Sequence, residues 1–347
     1  MRIGSPKETY AADEALFRTR TQWAWFGVLL AALAGFPFVA NLYWLYLVCL
    51  VSINVIAVTG LNVLTGYTGQ VSLGQAAFMG VGAYTVAWLE NHTGSPFPVN
   101  LLAGSVVATG VGLIAGLPSL RVKGLYLAIA TIAASFILLF IFKNWESVTN
   151  GTRGIGIEPP SAFGVALENP DTFYWLVVPV TVVMLLLASN LFRTRIGRAF
   201  IAIRDRDISA SVLGIDLPRY KLMSFGISAF YAGMAGGLYA YFFGSINPES
   251  FPLLMSIFLL AAVIVGGMGS MLGSILGGIF MTLVPELLRY GIDFLGLFME
   301  NASAVLSPVR TVVFGLLIVG FLLFEPLGLA EIWRRIRRFF HLWPFRT

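Results

Sequence analysis

The sequence predicts an all-α, polytopic integral membrane protein with about ten transmembrane helices, broken or re-entrant segments among them. Three observations carry that expectation. Of 347 residues, 58% are hydrophobic and 11% charged, with a mean hydropathy of +0.84, whereas soluble domains carry roughly 25% charged residues. Apolar runs follow one another at about 20 residues each, the length at which a helix crosses about 30 Å of hydrocarbon with every backbone group bonded internally. The cations, finally, are distributed unevenly between the segments that join those runs.

The crossings fall near residues 22–37, 42–64, 72–90, 99–117, 124–143, 173–192, 222–243, 253–268, 270–290 and 309–325. Arg2, Lys7, Arg18 and Arg20 precede the first, which resembles a signal peptide in outline. Its apolar run is longer than a signal core of about 7–15 residues and passes at Pro37–Asn41 straight into the next, so a retained span is expected. The third and eighth spans are rich in glycine and are the candidates for broken segments. With the N-terminus inside, all of the 22 cations except Lys143, Arg153, Arg289 and Arg310 lie on the cytoplasmic side. That bias places both termini in the cytoplasm. It also accounts for the net charge of +5 without nucleic acid.

The expected organisation is a cytoplasmic segment 1–21, a transmembrane region 22–328 with a cytoplasmic loop 193–221, and a tail 329–347. Two outer stretches, Asn144–Asp171 and Tyr290–Pro308, are long enough to matter. In the tail, Ile332, Trp333, Ile336, Phe339, Phe340 and Trp343 share a helical face between arginines, a pattern that suits a helix lying at lipid headgroups.

Composition removes most chemistry. One cysteine, Cys49, and two distant histidines, His92 and His341, supply neither a disulfide nor a metal site. No catalytic signature and no mid-membrane carboxylate cluster is present, which argues against an intramembrane enzyme and a proton-coupled carrier. Glu286, beside Pro285 and three residues before Arg289, is expected to pair along the helix. A GxxxxGK[ST] phosphate loop is also missing, so ATP-driven movement requires a partner subunit.

Such a partner needs a stiff, charged element on the cytoplasmic face. The loop Arg193–Lys221 is long enough to hold it. Ile201, Ala202, Asp205, Ile208, Ser209 and Val212 fall near one helical face, with Gly214 as C-cap and Pro218 as the stop. A docking helix and a plain solvated amphipathic helix both fit that pattern. The run Leu61–Tyr84 is the second constellation. Its glycines at 66, 69, 74, 80 and 82 interleave with Gln70, Ser72 and Gln75. It reads either as the lining of a pathway or as close helix packing with glutamines bonded across the interface. The cluster Gly266–Gly278 is a possible counterpart in the other half.

In this order the segments resemble the permeases of branched-chain amino acid ABC transporters, with the longer, LivM-type, of the two paired permeases as the best model. The markers are Leu61–Tyr84, Gly124–Thr131, Thr149–Ile155, Gly197–Arg204 followed by Leu213–Ile215, Gly233–Tyr239, Gly266–Gly269, Pro285-Glu286 and Phe324–Gly328. The resemblance implies a second permease subunit, two cytoplasmic ATP-binding subunits and an external substrate-binding protein. It implies no cofactor on this chain, ATP being held by the partners, and a bacterial inner-membrane location. It makes the loop a coupling helix using Arg198, Arg204, Asp205, Arg206, Asp207, Ser209, Ala210 and Gly214. The usual EAA-x3-G pattern is only partly kept: Ser209 and Ala210 fill the small positions, but the acid, Asp207, stands one residue early. The candidate pathway residues are Gly66, Gly69, Gln70, Ser72, Gly74 and Gln75. Permeases for urea and short amides look similar, and a channel or carrier independent of an ATPase is the remaining rival.

Overall fold

The computed structural model describes residues 20–296 except 163, 164, 167 and 168, and residues 312–342 except 314, 317, 322 and 326. The predicted N-terminal segment up to residue 19, the outer stretch from residue 297 to 308, and the tail beyond Leu342 therefore lie outside the described residues, as does Arg310. The helices are α1 (Arg20–Val39), α2 (Leu42–Leu61), α3 (Gln75–Thr93), α4 (Phe97–Gly116), α5 (Leu125–Asn144), α6 (Pro170–Arg193), α7 (Arg195–Val212), α8 (Leu217–Phe243), α9 (Leu253–Gly266), α10 (Met271–Gly296) and α11 (Leu329–Leu342). Residues 312–324 are helical wherever described.

Among the described residues, six stretches are long and apolar enough to cross a bilayer: Leu42–Tyr67, Phe97–Leu120, Leu125–Asn144, Pro170–Arg193, Pro248–Gly266 and Met271–Tyr290. Trp23–Val39 is apolar but shorter. Both α3 and α8 are long yet outside that set, and burial explains why. Their glycines, serines and tyrosines lower hydropathy, but the side chains face protein: α3 is buried from Gln75 to Tyr84, and α8 is buried from Ala232 to Leu238. The outer helices carry the greasy surface instead, with Val106 and Ile114 on α4, Phe136 and Phe140 on α5, and Val183 and Leu187 on α6 exposed.

Small residues let the central helices touch backbone to backbone, the packing that apolar solvent favours because it rewards contact area rather than apolar burial. A Cβ added at Gly82 would stand 2.4 Å from Gly233 Cα, and one at Gly236 would stand 1.9 Å from the Met79 carbonyl. The loop between α5 and α6 is tied to the end of α8 by a short antiparallel pair, β1 (Ile155–Gly156) with β4 (Ser245–Ile246); β2 (Ser161–Ala162) and β3 (Val165–Ala166) pair with each other.

The glycine-rich runs break the chain at helix ends, not in mid-span. After Leu61 the helix widens into a π-turn, Asn62–Tyr67, and residues 68–74 are non-helical before α3 starts. Between α9 and α10, Gly267 (φ 117°) and Gly269 (φ 70°) take backbone conformations that only glycine adopts freely. At the other end of the chain, Trp333, Ile336 and Phe339 of α11 are exposed together with Arg334, Arg335, Arg337 and Arg338, and Arg335 pairs with Glu325 at 2.8 Å.

Gly236→Ala should lower the unfolding temperature in detergent, by about 1–3 kcal/mol of overpacking. Gly110→Ala, where an added Cβ meets nothing within 4 Å, should leave it unchanged or raise it. Equal thermal stability of the two variants would contradict the packing described.

Candidate functional site

A buried amide joins the two helix breaks. Asn62 donates through Nδ2 to Ser274 Oγ (2.7 Å) and to the Ser270 carbonyl (2.9 Å), and its Oδ1 accepts from the Gly269 amide (2.9 Å). A side chain at Gly66 is excluded, since its Cβ would lie 1.8 Å from Asn62 Oδ1 and 2.4 Å from the Gly269 nitrogen. The π-turn leaves the Gly66 carbonyl available, and Arg204 of α7 donates to it through Nη1 at 3.0 Å. Gly69 (φ 74°) packs on the aliphatic stem of the same arginine. One loop arginine thus touches the first break directly and the second within contact distance of Gly269.

Beside this junction lies a cavity of about 550 Å³. Thr68–Gln70 form one wall, Ser119 and Val122–Gly124 from the α4–α5 connection another, and Ile203–Ser209 of α7 the third. The loop helix is not continuous as the periodicity predicts. Arg206 is extended (φ −158°, ψ 103°), splitting α7 into a longer first part and a final turn and a half. After the kink the chain closes as expected on Gly214 (φ 84°): its N–H bonds to the Ser211 carbonyl at 3.0 Å and Ile215 N–H to the Ala210 carbonyl at 3.1 Å, the two bonds of a Schellman cap. Asp216 then caps α8 by accepting from the Arg219 amide.

Charge holds the kinked turn against the bundle. Asp207 accepts from Lys123 and stands 3.9 Å from Lys221, whose side chain is nearly buried. The hydrogen bond from Lys123 keeps the Asp207 carboxyl below the usual aspartate range. A depressed folded-state pKa means that the clamp is complete at neutral pH and is lost only as pH falls through that lowered value. Val212 and Leu213, off the cavity wall, are 82% and 79% exposed, and Ile208 in that wall is 75% exposed, so the final turn offers an apolar tip to the surroundings.

The predicted residues divide accordingly. Arg204, Asp205, Arg206, Asp207 and Ser209 line the cavity with Gly69 and Gln70. Gly66 stands behind them as the acceptor for Arg204. Ala210 is buried and supplies the cap carbonyl; Arg198 bonds the Arg193 carbonyl at 3.0 Å, away from the cavity wall. Ser72, Gly74 and Gln75 belong to the packed interior. Gln75 bridges the Ala57 carbonyl and Ser228 Oγ, both at 3.1 Å, so here the helix-packing alternative describes the residue. Gln70 reaches Ser224 Oγ at 2.7 Å, while its Oε1 is buried without a partner. Sequence reasoning passed over Asn62, Lys123, Lys221 and the Ser270–Ser274 pair. A lysine two residues after Arg121 at the approach to α5 and an asparagine at the end of a span were the available signals.

The model of a family described as branched-chain amino acid transport system / permease component matches residues 43–322. The chain belongs to this family. The matched span of this branched-chain amino acid permease family takes in both helix breaks and the kinked loop. The chain is 34% identical over 285 residues to the high-affinity branched-chain amino acid transport system permease protein LivM of Escherichia coli (strain K12), which covers 75% of this chain and 67% of that protein. The probable LivM of Methanocaldococcus jannaschii is 26% identical over 326 residues, 83% of this chain and 91% of that one. LivH of Salmonella typhimurium is 29% identical over 225 residues, 61% and 69% respectively. No solved structure matches.

Asp207→Asn should speed tryptic cleavage at Arg206 in membranes at neutral pH, because it leaves Lys221 buried beside an uncompensated Lys123. Asp205→Asn, which removes only an exposed pair with Arg204, should change cleavage little. Equal rates for both variants and the parent would rule out the clamp.

Proposed function

We propose that this chain is the membrane-spanning permease subunit of an ATP-binding-cassette importer that moves branched-chain amino acids into the cell by alternating access. Membership of the permease family and the likeness to LivM and LivH support the cargo. The observation that carries the mechanism is the contact of Arg204 with Gly66 at the junction of the two helix breaks. A displacement of the loop there is delivered to α2 and α10 together, both of which run the length of the bundle.

In this reading about ten helices cross a bacterial inner membrane with both termini in the cytoplasm, which puts the kinked loop on the cytoplasmic side. The apolar tip at Ile208, Val212 and Leu213 inserts into a groove on one of two ATP-binding subunits. A second permease subunit completes the pathway, and an external binding protein delivers the amino acid to the opposite face. ATP is bound and split by the partners. The cavity between the broken segment and the loop is the space through which the turn moves when the nucleotide subunits close.

Two substitutions separate docking from transmission. Val212→Asp should abolish co-purification of the ATP-binding subunit, since an ionised carboxylate cannot enter an apolar groove without a partner. Arg204→Gln should leave the complex assembled and hydrolysing ATP while leucine uptake in reconstituted vesicles falls at least about tenfold, the effect of losing about 1.4 kcal/mol of coupling. Uptake and hydrolysis both at parental rates in Arg204→Gln would remove the coupling assignment. Robust leucine uptake by the purified chain alone would favour an ATPase-independent carrier.

A further inference from the structure

At the end of α2 and α10 remote from Arg204, roughly 28 Å along α2 at 1.5 Å per residue, lies a second cavity of about 310 Å³. Its polar groups are Tyr43, Tyr46, Asn54, Thr282 and the charged pair Glu286 and Arg289. Glu286 and Arg289 form the expected pair one turn apart, with Arg289 Nη2 3.1 Å from Glu286 Oε1. The Tyr43 hydroxyl donates to that same Oε1. Both bonds fall on one oxygen, so Oε2 is left for another donor, and a guanidinium with five N–H groups retains most of its donors after one contact. Asn54 is braced across the two helices by donating to Thr282 Oγ1 at 2.9 Å. Pro285 withholds the N–H that would bond the Met281 carbonyl, and both residues lie in the wall. Leu47, Leu50, Leu259 and Met281 make the rest of the surface apolar.

This is an uncommon combination: adjacent fixed charges of opposite sign at the rim of a small apolar chamber. An anion gains from Arg289 but meets Glu286, and a cation meets the reverse. A neutral amide can accept from Arg289 and donate to Glu286, but it brings no charge to compensate either. A zwitterion satisfies both, with its carboxylate on the open donors of Arg289 and its ammonium on Glu286 Oε2, while an aliphatic side chain fills the leucine-lined space. The volume sits at the lower end for small-molecule sites, too small for a lipid or a peptide.

We propose that this cavity is a transit site for the free amino acid within the permease, binding it through Glu286 and Arg289 and selecting a branched aliphatic side chain through Leu47, Leu50, Leu259 and Met281. The proposal rests on the reading of the chain as an amino acid permease and adds a place of recognition on this subunit itself. Half-exposure of Arg289 keeps its contacts with ligand weak enough for release, which a transit site requires. Because Asn62 directly follows α2 and Gly269 shortly precedes α10, the helices that hold the amino acid are the ones that the loop junction grips.

Cysteine protection tests the site. Leu50→Cys is placed in a Cys49→Ala background and labelled with a methanethiosulfonate reagent in membrane vesicles. Leucine at about ten times its half-saturating concentration should slow labelling about tenfold, whereas isovalerate and isoamylamine at equal concentration should not. Glu286→Gln or Arg289→Gln should each remove the protection. Leu259→Phe, which keeps the charged pair and only fills space, should shift protection from leucine toward alanine. Equal protection by isovalerate, protection unchanged in both charge variants, or an unaltered leucine-to-alanine ratio in Leu259→Phe would each overturn the proposal. Leucine uptake by the complete reconstituted importer is measured alongside. Uptake without protection removes the cavity alone; absence of uptake removes the functional reading and the cavity with it.

Discussion

Lipid offers no hydrogen bonds, so a helix that ends or widens at membrane depth must have its freed backbone groups satisfied by protein. That constraint organises the chain around Asn62. Its amide bonds three groups at the break between α9 and α10: the Gly269 N–H, the Ser270 carbonyl, which also accepts from the Ser274 N–H, and the Ser274 hydroxyl at the start of α10. The π-turn that begins at Asn62 then frees the Gly66 carbonyl for Arg204. The two breaks are thus hydrogen-bonded to each other through Asn62.

The glycines are the price of that arrangement. Gly66, Gly69, Gly267 and Gly269 stand where a Cβ would strike backbone or the arginine, or where φ is positive. Further along, Gly82 against Gly233 and Gly236 against Met79 let α3 and α8 sit at the centre as buried helices with many polar side chains. Those polar groups bond across helices, as Gln75 does to Ala57 and Ser228.

Charge has two separate placements. Around the kinked loop, Lys123, Lys221 and Asp207 set the position of a short turn and leave its apolar side uncovered. At the far end, Glu286 and Arg289 border an apolar chamber. The same two helices, α2 and α10, connect these charged ends, and α2 itself carries no Asp, Glu, Lys, Arg or His. The arrangement suits an amino acid pathway operated from one end, the activity that the permease family membership supports.

Much of this was legible in the residues. Helix positions followed from run lengths near 20 residues, because backbone bonding in lipid permits little else. The Gly214 cap and the Glu286–Arg289 pair followed from local spacing, since both depend on contacts within a turn or two. Runs 72–90 and 222–243 located α3 and α8 in the sequence, but their lower hydropathy sets them apart from the six most apolar spans, because hydropathy measures contact with lipid and these helices contact protein. Only the tertiary structure decided that Gln70 borders a cavity while Gln75, five residues on, is locked in the core, and that Arg206 is extended within an otherwise helical pattern. Only it brought Asn62 to Gly269, more than two hundred residues away. Periodicity assigns a residue to a face; which surface meets that face is set by packing between distant helices, and no local pattern encodes it.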